Sequence, residues 1–276
     1  MEQQQQAPAA PAFGRKVFFL NPSFSVRTHI ITALKILEYE VYTISDYRRV
    51  KGYLRIHHDA ILYINTETQM NIPSWLNFIH TLKNDSVFSS TIIGVINEHL
   101  SPLELKALSE DPYIRGGVFH MEGQFKPQIP MLARKLEELG AKGRRQYVRT
   151  ICMNDTNARF LWIQDGRMFT AQIVDISTAS VAVLITQKEL PFVQGRGELF
   201  STIQLGQKQI QTKAKTLVIK PSGNNFAAIF IINEQTPQES IQIIRDYVFE
   251  TLELAMLKSV NGMELDKTDY TAIPKS

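Results

Sequence analysis

The chain has 276 residues, of which 44% are hydrophobic and 21% charged, with a formal net charge of +3. That length suits two ordinary domains, and the near-neutral total excludes a chain-wide pull towards nucleic acid, so any anion site must be local. The single cysteine, Cys152, excludes an internal disulfide framework and a multi-cysteine zinc site, and fits a reducing compartment.

The start, MEQQQQAPAAPA, lacks the basic and apolar stretches of a secretory signal, so residues 1–14 are expected to be a disordered polar tail. The longest apolar run, Phe226–Ile232, is far short of the ~18 residues a membrane span needs. A cytoplasmic protein without membrane insertion is expected.

Residues 15–140 alternate short apolar runs with helix-period segments. The runs are Val17–Leu20, Val41–Ile44, Ala60–Ile64, Ile92–Ile96 and Val118–Phe119. Between them lie segments such as Ile30, Ile31, Leu34 and Leu37, with apolar residues at helical spacing. Ser101-Pro102-Leu103-Glu104 carries an N-cap, a proline at the first helical position and a reciprocal glutamate. This predicts an α/β, flavodoxin-like domain on a parallel sheet.

The pattern resembles the receiver domain of response regulators, but the residues that would hold Mg²⁺ and accept phosphate are missing. The first strand ends Leu20-Asn21-Pro22, and the third ends Ile64-Asn65, where the resemblance places the phosphoacceptor Asp. The fourth ends Ile96-Asn97 and the fifth runs Phe119-His120-Met121, without the receiver's hydroxyl residue and lysine. An amide cannot serve as the carboxylate nucleophile. The expectation is a pseudo-receiver, a protein-docking or structural domain.

Residues 141–149, Ala-Lys-Gly-Arg-Arg-Gln-Tyr-Val-Arg, form a glycine-containing linker. After it the period becomes strand-like. Six runs follow: Phe160–Ile163, Phe169–Asp175, Val181–Ile185, Glu198–Leu205, Ile210–Ile219 and Phe226–Ile232, with turns such as Asp165-Gly166 between them. They predict a small antiparallel barrel. Thr236-Pro237-Gln238-Glu239 opens a closing helix with an apolar stripe at Ile241, Ile244, Val248, Leu252 and Ala255. The barrel domain is expected over residues 150–258 and a flexible tail over 259–276.

Arg145 and Arg149 form an R-x-x-x-R motif, and Asp175 and Ser177 follow on a barrel strand. Together they resemble the PilZ domain, whose motifs are R-x-x-x-R and D/N-x-S-x-x-G. That resemblance implies a six-stranded barrel with a terminal helix, and cyclic di-GMP as ligand, with no cofactor and no catalysis. The chemistry is consistent: an arginine fork pairs with phosphate or with guanine O6 and N7, and a carboxylate accepts from guanine N–H groups. Arg144, just before the motif, is expected to favour a stacked ligand pair. The family's glycine falls at Ser180, where a positive φ would cost on the order of 1 kcal/mol, roughly tenfold in affinity. Binding at the linker would reorient the two domains towards an unidentified protein partner, in motility or surface behaviour as the resemblance implies. The alternative is a degenerate adaptor that binds proteins without nucleotide. The weak net charge argues against DNA or RNA as partner.

Overall fold

The computed structural model describes residues 13–271; the tail expected before residue 13 and the last five residues lie outside the described part. The described chain divides into two units, Tyr147–Leu254 and the remainder.

In the first unit the five apolar runs become strands β1 (Val17–Leu20), β2 (Val41–Ile44), β3 (Ile61–Ile64), β4 (Ile92–Asn97) and β5 (Val118–His120). They form one parallel sheet in the order β2-β1-β3-β4-β5, with Val17 paired to Val41 on one side and Ile61 on the other. Val17–Leu20 and Ile61–Ile64 are fully buried because helices cover both faces, as a parallel sheet requires. The crossovers carry helices α1 (Thr32–Ile36), α2 (Val50–Ile56), α3 (Ile72–Asn84), α4 (Pro102–Glu110) and α5 (Phe125–Glu138). α1 continues a π-helical stretch at Val26–Ile31. The capping box at α4 is formed: Ser101 Oγ accepts from the Glu104 amide at 3.3 Å, and Glu104 accepts from the Ser101 amide at 2.8 Å. α5 stops where Gly140 adopts φ +77°, and the Ala141 amide bonds the Leu136 carbonyl.

The second unit is a closed barrel. Its strands are β7 (Ala158–Gln164), β8 (Arg167–Ser177), β9 (Ser180–Ile185), β10 (Glu198–Leu205), β11 (Lys208–Ser222) and β12 (Asn225–Ile232). The antiparallel ring runs β8-β7-β10-β11-β12-β9 and closes by β9 pairing with β8. A short strand not visible in the sequence, β6 (Arg149–Ile151), adds to the end of β8. Asp165 and Gly166 take φ +51° and +71°, the two positive angles that a tight hairpin between β7 and β8 demands. Inside, Phe160 stacks on Trp162 and on Phe230, with ring centroids 5.9 and 4.7 Å apart. Cys152 is buried beside this core, and burial pushes its thiol up to about 11, so it packs as a small hydrophobe.

Helix α6 (Gln238–Val260) buries Ile244 and Val248 in the barrel core, with Ile241 and Leu252 packed at its edge. Tyr247 donates to Asp155 at 2.7 Å, which fastens the helix to the loop before β7. Ala255 is exposed, and the buried positions at the end of the helix are Met256 and Val260 instead.

Residues 261–271, expected to be flexible, instead pack on the first unit. Tyr270 is only 2% exposed and meets Tyr47 and Phe78 edge-on at 6.1 and 5.1 Å. Its carbonyl accepts from Asn77 at 3.0 Å. Asp266 pairs with Lys51 at 3.0 Å, and its amide bonds the Arg48 carbonyl. Desolvation pushes the Asp266 carboxyl up, but hydrogen bonds from Tyr270, Thr268 and Lys51 outweigh it and hold it at about 2.

Truncating Tyr270 to alanine removes a buried aromatic, so urea denaturation should show a loss on the order of 3 kcal/mol. Asp266 is depressed below the ordinary carboxylate value, so its contribution is complete above about pH 4 and fades as pH falls towards 2. Asp266→Asn should therefore be less stable than wild type at neutral pH, and the gap should close on acidification through that window.

Candidate ligand site on the barrel

One irregularity in β8 organises the site. Ala171 and Ile173 face the core, and strict alternation would send Asp175 inward as well. A register shift between Ile173 and Asp175 opposite β9 inserts one extra residue. The phase changes there: Ile176 is buried in the core and Asp175 stands half-buried on the outer side. A β-bulge of this kind re-aims a side chain without interrupting the barrel.

β6 brings Arg149 to that carboxylate. Arg149 is paired in register with Ser177, and Ile151 with Asp175. Arg149 Nη1 lies 3.6 Å from Asp175 Oδ1, with about a third of each side chain exposed. Arg149 Nε is out of reach of solvent and has no hydrogen-bond partner among the described residues. A buried donor left unpaired costs roughly 1–3 kcal/mol, which an acceptor from a ligand would recover.

Ser177 and Ser180 bracket the turn from β8 to β9. Ser177 Oγ accepts from the Ser180 amide at 3.1 Å and lies 3.1 Å from Ser180 Oγ. Both residues are buried. Ser177 therefore holds the turn, and its hydroxyl is engaged within the protein. Ser180 is the first residue of β9, paired with Ile231, and is not among the residues with positive φ. The strain expected from a serine in the glycine position does not arise.

Arg149, Asp175, Ser177 and Ser180 thus come together on the second unit. Arg144 and Arg145 belong to the first. Both are exposed, and the Arg145 guanidinium rests over the Phe13 ring, 4.3 Å from its centroid. The sequence reading missed Val174, whose place in the bulge sets the direction of Asp175; the available signal was the slip in apolar alternation between Ile173 and Ile176.

In the first unit, the strand-end asparagines are engaged in loop closure. Asn65 Oδ1 accepts from the Glu67 amide at 2.9 Å, and Asn97 bridges Thr66 Oγ1 and the His99 amide at 2.7 Å each. Asn65 and Asn97 are both buried. Among the described residues no cluster of His, Cys, Asp or Glu could hold a metal, and no helix is long and apolar enough to cross a membrane.

No family model and no curated protein matches the chain. Among solved structures, it is similar to the inhibitor of motility MotI/DgrA of Bacillus subtilis, at 23% identity over 40% of this chain and 51% of that one, with a TM-score of 0.33. The chain therefore spans about half the length of that protein. The PilZ domain of YcgR from Escherichia coli with c-di-GMP is 16% identical over 43% of this chain and 98% of that one, with a TM-score of 0.36. A chemotaxis response regulator of Vibrio cholerae, CheY4, is 21% identical over 46% and 98%, with a TM-score of 0.34. At these scores the likenesses decide neither fold nor function, which rest on the strand order and on the residues around Arg149.

Proposed function

We propose that this chain is a PilZ-type effector that binds cyclic di-GMP on the outer side of its barrel and does no catalysis. The observation that carries the reading is Arg149: it sits beside Asp175, with a buried Nε that lacks an acceptor. A guanine or phosphate oxygen supplies that acceptor. Asp175 accepts from the guanine N1–H and amine, and a guanidinium beside a carboxylate matches the two edges of that base. Ser177 acts indirectly, by holding the turn that positions Asp175.

Arg145 supplies the second fork and Arg144 a further cation for a stacked ligand pair. The boundary between the two units falls between Gln146 and Tyr147, inside the arginine segment. A ligand held by Arg145 and Arg149 would tie together residues on either side of that boundary, and binding would bias the orientation of the units. The partner that reads this change is a protein, in motility or surface behaviour, and the site of action is the cytoplasm. One observation favours a second reading, a nucleotide-independent adaptor: the Ser177 hydroxyl is already engaged by Ser180.

Calorimetric titration with cyclic di-GMP separates the two. Saturable binding is expected, and Arg149→Ala should weaken it about 30- to 150-fold, the loss of on the order of 2–3 kcal/mol from charge-assisted hydrogen bonds. A folded wild type that releases no heat and does not saturate would establish the adaptor instead.

Ser180→Gly tests the glycine position. Because Ser180 has no positive φ to relieve, affinity should stay within about threefold of wild type, less than the tenfold step of ~1.4 kcal/mol. Thermal stability should fall by roughly 1 kcal/mol, since glycine weakens a strand.

A further inference from the structure

The barrel carries a second feature that ligand binding does not use. Met168 on β8, Ile163 on β7 and Phe200 on β10 stand directly opposite one another across three neighbouring strands. They face outward and are 71%, 57% and 68% exposed. Three large apolar side chains in one row on an outer face form a continuous patch, which is the unusual case, unlike scattered apolar residues. The row ends on Lys213 of β11, paired with Phe200, whose ammonium lies 5.2 Å from the Phe200 ring centroid. The row lines a groove of about 610 Å³, whose lining at the Lys213 end is completed by Asn233, Gln235, Thr236 and Pro237.

We infer that this groove docks an amphipathic helix of a protein partner, with an apolar stripe at i, i+4 and i+7 and acidic residues on the next turn. The geometry is commensurate. Adjacent strands lie about 4.8 Å apart, and successive turns of a helix about 5.4 Å, so a helix laid across the strands offers one side chain per turn to Met168, Ile163, Phe200 and then Lys213.

Charge selects the occupant. On the outward positions beside the row stand Lys213 and Lys215, and Glu198 opposite Lys215 is already engaged by Lys213 at 3.9 Å and by Asn233. An acidic edge on the partner meets these cations. A second copy of the same face would bring lysine towards lysine.

The test uses the full chain and two synthetic helical peptides of roughly 18 residues, five turns. Both carry the same leucine stripe; one is flanked by glutamate and the other by lysine. Fluorescence anisotropy should show the glutamate peptide binding at least about tenfold tighter. Phe200→Asp should reduce that binding by about tenfold or more, and Lys213→Glu should erase the preference for the glutamate peptide. Cyclic di-GMP titration of the same variants should be unchanged, which separates this surface from the ligand site. Should Phe200→Asp fail to fold by circular dichroism, Met168→Ser gives the same reading. Equal or absent binding of the two peptides overturns the inference, as does binding indifferent to these substitutions. Cosedimentation with phosphatidylglycerol vesicles, or self-association in sedimentation velocity, overturns it too if either is lost in Phe200→Asp while neither peptide binds.

Discussion

The candidate site depends on one inserted residue. β8 has to serve two demands that strict alternation cannot meet together: Ile173 and Ile176 both enter the barrel core, and Asp175 between them must stay out of it. In an unbroken strand, residues 173 and 175 share a face, so a carboxylate would be driven into a core of Phe160, Trp162 and Phe230. An unpaired charge there would cost several kcal/mol or neutralise itself. The extra residue at the register shift removes the conflict. On its other edge β8 is paired with β7 only from Arg167 to Gln172, so the end of β8 stays open there for β6, with the Cys152 amide reaching the Val174 carbonyl at 2.7 Å. Arg149 reaches Asp175 only because β6 has that edge to join.

The elements that depend on local chemistry were legible in the sequence. The five parallel strands fall on the five apolar runs, and the capping box at α4 and the Asp165-Gly166 hairpin form where their residues stand. In each case the deciding residues lie within a few positions of one another. What was not legible depends on partners distant in the chain. β6 is Arg-Thr-Ile, too short to show a period, and exists because β8 offers an unpaired edge. Tyr270 lies in a polar segment that reads as a frayed end, and is buried by Tyr47 and Phe78 some two hundred residues earlier. The outer apolar row was hidden for a different reason. In Trp162-Ile163 and Leu199-Phe200 both neighbours are apolar, so the sequence shows a strand without showing that one of each pair faces solvent.

Ser180 shows how a motif position can mislead. Judged by the family pattern, a serine in place of glycine implies strain; in the fold the residue is ordinary extended backbone at the start of β9. Its hydroxyl lies within hydrogen-bond distance of Ser177 instead. The substitution changes how the turn is bonded, and leaves its backbone conformation relaxed. The asparagines at the strand ends of the first unit follow the same logic. Asn65 and Asn97 stand where receiver chemistry would place reactive groups, and both are engaged in closing the loops that follow their strands. At both positions the side chain has a structural role in the loop.

The proposed ligand site and the proposed docking row share a strand, and that sharing bears on whether they would interfere. β8 begins near Met168, in the apolar row, and reaches Asp175 seven residues later. At about 3.3 Å per residue the two positions are roughly 23 Å apart along the strand. Between them Ala171 and Ile173 are locked into the core, and Arg159 and Gln172 hold the register with β7. A closed barrel with a packed interior does not deform smoothly over such a distance. A ligand at the proposed site beside Arg149 and Asp175 would therefore leave the row at Met168, Ile163 and Phe200 unchanged in shape. Coupling between the faces, where it exists, has to come through what the arginine segment does to the chain on the other side of Gln146, because the barrel itself is the rigid part on which both faces are mounted.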